Sequence, residues 1–229
     1  MYIEFIGFSS SGKTTLIDHF FSKLNKTDIN FNSIELSYLN NPYSNNWKSR
    51  YISLLIDIKI FLIYFNFSLI RDCNYMLRNT NLSWFRKVNY IRNYIKKKYL
   101  LKTCLSKKSN NKVIVADEGD VQSFLNIFVH IKNNVHKYDE YGKLILPDIL
   151  VYLRPSKQIL VNRILKRKNR SQWSKLPLNN LENIIDNFNK KVDLIIDRHS
   201  TLKEMQILVF DDKYNKEDIS KIIIKNIIY

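Results

Sequence analysis

The sequence predicts an α/β fold, a mostly parallel five-stranded sheet with helices on both faces and a long helical insertion, in one domain spanning residues 1–229. Three observations predict it. The chain begins with a short apolar run, a small polar loop and a helical pattern. Four further runs of strand character follow, each bounded by polar, Asn- or Pro-containing turns. Between the second and third runs lie some sixty residues with helical periodicity and neither Gly nor Pro. Apolar strands alternating with helices read as a parallel sheet covered on both sides.

The first strand, Tyr2 to Ile6, stops at Gly7, and Lys13-Thr14-Thr15-Leu16-Ile17 opens a helix running to about Leu24. The stretch Gly7-Phe-Ser9-Ser10-Ser11-Gly12-Lys13-Thr14 is G-x-x-x-x-G-K-[ST] in its strand–loop–helix setting, the P-loop or Walker A pattern. Backbone N–H groups in such a loop turn inward on phosphate oxygens, and the helix N-terminus adds its positive end. Gly7, Ser9, Ser10, Ser11, Gly12, Lys13, Thr14 and Thr15 are therefore the candidate nucleotide-binding residues. Lys13 is expected on the β- and γ-phosphates, and Thr14 on Mg²⁺. The chain holds only four glycines, and two stand at the motif's fixed positions.

Ser33 to Leu39 alternates apolar and polar residues and predicts the second strand. The loop after it, within Tyr38 to Trp47, reads equally as substrate-side or as a plain connector. Residues 47–108 form the helical insertion, a candidate acceptor-side region expected to break near Asn79-Thr80-Asn81. Its most apolar part, Tyr51 to Ile70, carries Asp57 and Lys59 near its middle, which favours a buried helix over a transmembrane span. Lys112 to Ala116 is a compact third strand ending in Asp117-Glu118-Gly119-Asp120. An acid closing an apolar strand downstream of a Walker A is the Walker B position, so Asp117 is the candidate partner of Thr14 on Mg²⁺. Asp120 and Ser123 read either as acceptor-facing or as helix caps.

Val121 to Val135 predicts a helix, Ile149 to Leu153 a fourth strand, and Ser156 a cap for the helix Lys157 to Lys166. Arg163, Arg167 and Arg170 fall in a basic stretch, residues 163–176, that reads as a lid. Leu181 to Asp197 predicts another helix, Met205 to Phe210 the fifth strand, and Glu217 to Ile228 the closing helix.

Composition narrows the class. Aromatics at 13% and hydrophobics at 45% exclude a disordered chain. Cys73 and Cys104 supply neither metal spacing nor a disulfide framework, the pattern of reduced cytosolic thiols. The four histidines show no metal or triad spacing and read as structural or surface. With no secretory leader before the first strand, the expected location is cytoplasmic. The formal net charge is +16, and ten basic residues between Arg86 and Lys112 have no acid among them. Such a field favours an anionic partner.

Taken together, the chain resembles the thymidylate-kinase-like branch of P-loop nucleoside and nucleotide kinases, whose fold is a three-layer P-loop sandwich. The resemblance rests on Gly7 to Thr15, on Asp117 to Ser123 at the family's strand-end D-R-x-x-x-S position, and on Pro147 to Ser156 running into Arg163 to Arg170. It implies that Arg163, Arg167 and Arg170 close over ATP, with ATP and Mg²⁺ as cofactors. The family's arginine after the strand-end acid is replaced by Glu118, and its E-P-G-G motif has no counterpart near Leu36 to Pro42. The donor half of the site is thus kept and the acceptor half rewritten. Glu118 becomes a candidate base toward an acceptor hydroxyl. The expected activity is transfer of the γ-phosphoryl group of Mg·ATP to a small anionic or hydroxylated acceptor, nucleoside-like, nucleotide-like or a sugar. The alternative is a nucleotide-dependent switch on nucleic acid or an anionic membrane. A homodimer is compatible with either.

Overall fold

The computed structural model describes residues 1–24, 35–38, 67–80, 82–106, 112–131, 144–167, 172–201 and 205–228. In chain order the elements are β1 (Tyr2–Ile6), α1 (Lys13–Leu24), β2 (Glu35–Tyr38), α2 (Phe67–Asn79), α3 (Trp84–Ser106), β3 (Lys112–Ala116), α4 (Asp120–Phe128), β4 (Ile149–Leu153), α5 (Lys157–Lys166), a 3-10 turn (Gln172–Lys175), α6 (Leu178–Thr201), β5 (Gln206–Phe210) and α7 (Lys216–Ile228). The five strands are all parallel, in the order β2-β3-β1-β4-β5.

That order puts β1 at the centre, with Glu4 opposite Ala116 of β3 on one side and Leu150 of β4 on the other. From β1 the chain runs to β2 at one edge, returns to β3 between the two, and then crosses to β4 and β5 on the other side of β1. Beyond the carboxyl ends of the strands this leaves a crevice, where parallel sheets take their ligands. The P-loop and Asp117 leave adjacent strands into it.

Side chains alternate along each strand, so each face has its own core. Ile3 and Phe5 pack with Leu16, Ile17 and Phe20 of α1 and with Ile219 and Ile223 of α7. Ile6 and Tyr152 point the other way, into a larger core with Tyr94, Phe124, Phe128 and Phe188 from α3, α4 and α6. The insertion contributes helices on this second face. Helix α2 ends where expected: Asn79 Nδ2 donates to the Tyr75 carbonyl at 2.9 Å and Thr80 Oγ1 to that of Met76 at 2.8 Å. Both side chains bond back to the carbonyl four residues earlier, a pattern of Asn and Thr that competes with helix continuation.

Two details depart from the sequence reading. The helix expected over Val121 to Val135 ends at Phe128 and continues as a tight turn. Its terminal carbonyls, Phe128 O and Ile131 O, are capped by buried Lys191 Nζ from α6, with a bond of 3.3 Å to Ile131 O. Ser156 does stand at the N-cap of α5, but its hydroxyl makes no cap bond; its N–H donates instead to Asp212 Oδ2 at 2.8 Å. Most of Tyr51 to Ile70 and of the loop after β2 lies outside the described residues. Among those described, no helix is long and apolar enough to cross a membrane.

Candidate active site

The loop Gly7 to Gly12 departs from ordinary backbone geometry where a phosphate cradle must. Gly7 has φ +156°, and a Cβ there would meet Ser11 Oγ at 2.7 Å and the Leu153 carbonyl at 2.8 Å. Ser10 adopts φ +69°, a left-handed conformation that costs a side chain roughly 1–2 kcal/mol. Such strain persists only where surrounding structure enforces it. Ser10 Oγ and Ser11 Oγ are buried with no hydrogen-bond partner among the described residues, polar atoms that phosphate oxygens would satisfy.

Lys13 Nζ donates to the Gly7 carbonyl at 2.7 Å, folding the side chain back along the loop. Burial lowers its pKa, opposed by the nearby charges of Asp117 and Glu118. Thr14 Oγ1 and Asp117 Oδ2 meet at 2.8 Å across 103 residues of sequence. The second Asp117 oxygen, Oδ1, is buried without a described partner. A hydroxyl and a carboxylate with an uncommitted oxygen suit a hard divalent cation. No group of three or more His, Cys, Asp or Glu converges among the described residues. Thr14 and Asp117 are the residues here that could hold Mg²⁺, an ion that typically takes its remaining ligands from phosphate and water.

The predicted lid residues separate. Arg163, on α5, lies against the P-loop with Nη1 at 3.2 Å from the Ser11 carbonyl and 3.4 Å from that of Ser10. Arg167 is exposed at the end of α5. Arg170 lies outside the described residues. A cavity of about 190 Å³, lined by Gly12, Leu153, Pro155, Arg163, Asp211 and Tyr214 among others, opens beside this part of the loop.

On the other side of the loop is a second cavity of about 180 Å³. Its floor is the P-loop face, with Gly7, Ser9 and Lys13, and Glu118 stands at its edge. Aromatic rings line it as well: Phe8 of the loop itself, with Tyr90, Trp173 and Phe188. Phe8 packs against Trp173 at 5.2 Å and edge-on against Phe188 at 5.4 Å. His130 stacks nearly parallel on Trp173 at 5.9 Å. Burial lowers its pKa to about 4, reinforced by Arg86 and Lys191, so at neutral pH it is an uncharged ring.

Another wall is α4, presenting Gln122 and Asn126 one turn apart. Gln122 Oε1 accepts the Gly7 N–H at 2.8 Å, and its Nε2 donates to Asn126 Oδ1, also at 2.8 Å. Glu4, fully buried within β1, accepts the N–H of Gln122 at 2.7 Å and of Val121 at 3.3 Å, and the Tyr2 hydroxyl. It thus caps α4, as an acid at a helix N-terminus should. Burial raises its pKa to about 7. Gly119 allows this approach, because a Cβ there would come within 2.6 Å of Glu4 Cδ and closer still to Tyr2 Oη.

Two sequence readings change here. Asp120 is fully buried and does not line the cavity; it accepts the Ile145 N–H at 2.7 Å and pairs with Lys98 at 3.4 Å. Ser123 is buried too, its Oγ without a partner among the described residues. The basic segment is partly turned inward: Lys96 and Lys98 are buried, and Lys97 forms an ion pair with Glu118. A lysine from α3 thus reaches the position after the strand-end acid, where the resembled family carries an arginine. Sequence reasoning missed Glu4, Asn126 and the aromatic wall. An acid inside an apolar strand was a visible signal for the first, and the i, i+4 spacing of Gln122 and Asn126 for the second.

No protein-family model and no curated protein matches the sequence. Among solved structures, a deoxyadenosine kinase from M. mycoides with dCMP and dCDP products is similar at TM-score 0.56 and 15% identity, covering 99% of this chain and 98% of that one. The same enzyme with bound dATP is similar at TM-score 0.54 and 15% identity over the whole of both chains. With bound dCTP it gives TM-score 0.55 and 16% identity over 99% and 98%. End to end, this chain has the P-loop kinase fold that those nucleoside kinases share.

Proposed function

We propose that this protein is a nucleoside kinase, transferring the γ-phosphoryl group of Mg·ATP to a hydroxyl of a nucleoside whose base enters the aromatic cavity. The observation that carries this reading is one cavity lined both by Gly7, Ser9 and Lys13 of the P-loop and by the rings of Phe8, Tyr90, Trp173 and Phe188. An aromatic wall stacks a planar heterocycle. At about 180 Å³ the cavity falls below the roughly 300 Å³ where drug-sized pockets begin, so it suits one small ring system better than an extended glycan.

In this reading Gly7, Ser9, Ser10, Ser11, Gly12 and Thr15 wrap the phosphates with Lys13, while Thr14 and Asp117 hold Mg²⁺, which neutralises phosphate charge when bound. Glu118 accepts the proton from the acceptor hydroxyl as its oxygen bonds to the γ-phosphorus and the bridging oxygen leaves with ADP. Lys13 balances the charge that builds on the leaving side. Arg163, Arg167 and Arg170 serve the donor side, and Arg163 already touches the loop. The switch reading is weaker, because Lys97 and Lys98 face acids within the fold instead of an external polyanion. The neighbours' names support a nucleoside acceptor.

The test is ATP consumption with Mg²⁺ across ribo- and deoxyribonucleosides, nucleoside monophosphates and sugars. One or more nucleosides should be turned over, and Lys13→Ala and Asp117→Asn should each abolish it. Activity that survives Lys13→Ala, or turnover of sugars alone, overturns the reading.

A further inference from the structure

Beside the P-loop runs a hydrogen-bond chain of fixed polarity, from Gly7 through Gln122 to Asn126. The backbone N–H of Gly7 can only donate. The Gln122 side chain that meets it must therefore turn its oxygen toward the P-loop, as the 2.8 Å Gly7 N to Gln122 Oε1 bond shows. This leaves Gln122 Nε2 pointing up α4, where it donates to Asn126 Oδ1 at 2.8 Å. Because the Asn126 oxygen is turned toward Gln122, its planar amide directs the N–H₂ away from Gln122, and Asn126 lines the cavity. An isolated asparagine can turn either end of its amide to a ligand. This one is held by a chain of two bonds that ends on a backbone group unable to reverse. The N-terminus of α4 is itself held, because Glu4 accepts the Gln122 N–H.

Asn126 lies one turn beyond Gln122, about 6 Å farther along the helix from the P-loop, and Val129 lines the same cavity one turn on. The phosphoryl-transfer groups, Lys13 and Glu118, are at the strand end. Asn126 is thus placed at the base end of an acceptor that has its hydroxyl near Glu118. We propose that Asn126 is a specificity-determining residue that acts only as a hydrogen-bond donor, so that the enzyme favours bases with a keto oxygen where adenine and cytosine carry an amino group. This rests on the nucleoside-kinase reading above. The nucleotides bound by the structural neighbours, dCMP, dCDP, dATP and dCTP, all carry the amino group, so the inference comes from this chain's own residues.

The experiment compares kcat/KM for two matched pairs, uridine with cytidine and inosine with adenosine, as ribo- and deoxyribonucleosides. Each pair differs at the keto or amino position and little in size. The wild type should favour the keto member by about ten- to a hundredfold, the value of one matched hydrogen bond of 1–3 kcal/mol. Asn126→Asp keeps an oxygen for Gln122 Nε2 but presents an acceptor to the cavity, and should reverse the preference. Asn126→Leu should bring the ratio toward one. Gln122→Glu gives the sharper outcome. A carboxylate at position 122 still accepts the Gly7 N–H, yet requires Asn126 to donate to it, turning the Asn126 oxygen to the cavity. Preference should reverse although Asn126 itself is unchanged. Thermal melting of each variant checks folding, and the wild-type ratio alone remains decisive if a variant does not fold. A wild type that prefers the amino members, or folded Asn126 variants with an unmoved ratio, overturns this inference and leaves the kinase assignment standing. Failure of the wild type to phosphorylate any nucleoside defeats the kinase assignment instead.

Discussion

The carboxylate of Glu4 in the central strand accepts the backbone N–H of Gln122 at 2.7 Å, joining residues 118 positions apart. It ties together the P-loop strand, the helix that follows Asp117 and, through the Gln122 side chain, Gly7. Its carboxyl group is raised from an ordinary 4.5 to about 7, mainly by burial, with the charge of Asp120 adding to it; hydrogen bonds from Tyr2, Gln122 and Val121 pull the other way. The folded state therefore holds this proton more tightly than the unfolded chain. The stability contributed by that proton is complete below about pH 4.5 and is lost as pH rises through 7. The contribution is roughly 3 kcal/mol. Urea unfolding at pH 5 and pH 8 should show the wild type losing stability relative to Glu4→Gln by about that amount. A difference between the two proteins that is constant with pH would refute it, whatever the fixed cost of the substitution.

Gly119→Ala tests the close approach of the Asp117 loop to Glu4. The backbone there, φ −79°, suits any residue, so the whole penalty comes from the added methyl pressing on Tyr2 and Glu4. Overpacking of this kind costs about 1–3 kcal/mol. Because Asp117 and Glu118 are adjacent, kcat should fall along with the melting temperature. Full activity at unchanged stability would show that the loop shifts freely.

Glu118 forms an ion pair with Lys97 and is itself exposed, which makes it either a base or merely the anchor of α3. A double-mutant cycle separates the two. As a base, Glu118→Gln should lower kcat by roughly 10²-fold or more with little change in KM, and Lys97→Met by much less. If the two substitutions have equal, small and fully coupled effects, Glu118 acts only through Lys97.

Arg163 and Arg167 are both exposed, but only Arg163 touches the P-loop carbonyls among the described residues. Arg163→Ala should therefore raise KM for ATP and lower kcat. Arg167→Ala should act on kcat alone, if it acts at all, since any contact it makes waits for the donor phosphates. Steady-state kinetics with ATP as the varied substrate distinguish them. An Arg163→Ala enzyme with unaltered ATP kinetics would remove that residue from the donor side.

The proposed donor half was legible because its residues are local. A strand, a glycine-bounded loop, Lys13 and Thr14 are contiguous, and their spacing alone carries a phosphate cradle. Asp117 was legible as the acid at the end of an apolar run, although its meeting with Thr14 depends on β3 lying beside β1. Helix ends were less so. The last turn of α4 is set by Lys191, more than sixty residues away, and no local signal announces it. The proposed acceptor half was hardest. Phe8, Tyr90, Asn126, Trp173 and Phe188 come from five separate segments, and each reads in sequence as an ordinary core or surface residue.

By itself, then, the sequence determined the alternation of strands and helices, the strand–loop–helix form of Gly7 to Thr14 and the strand that ends at Asp117, since short-range periodicity and backbone requirements specify these. Tertiary structure alone decided which way the Gln122 and Asn126 amides point, that Glu4 is buried as a helix cap, and that a lysine pairs with Glu118. Hydrogen-bond polarity and burial are properties of neighbours in space, and in this sheet the neighbours that matter are a hundred residues apart.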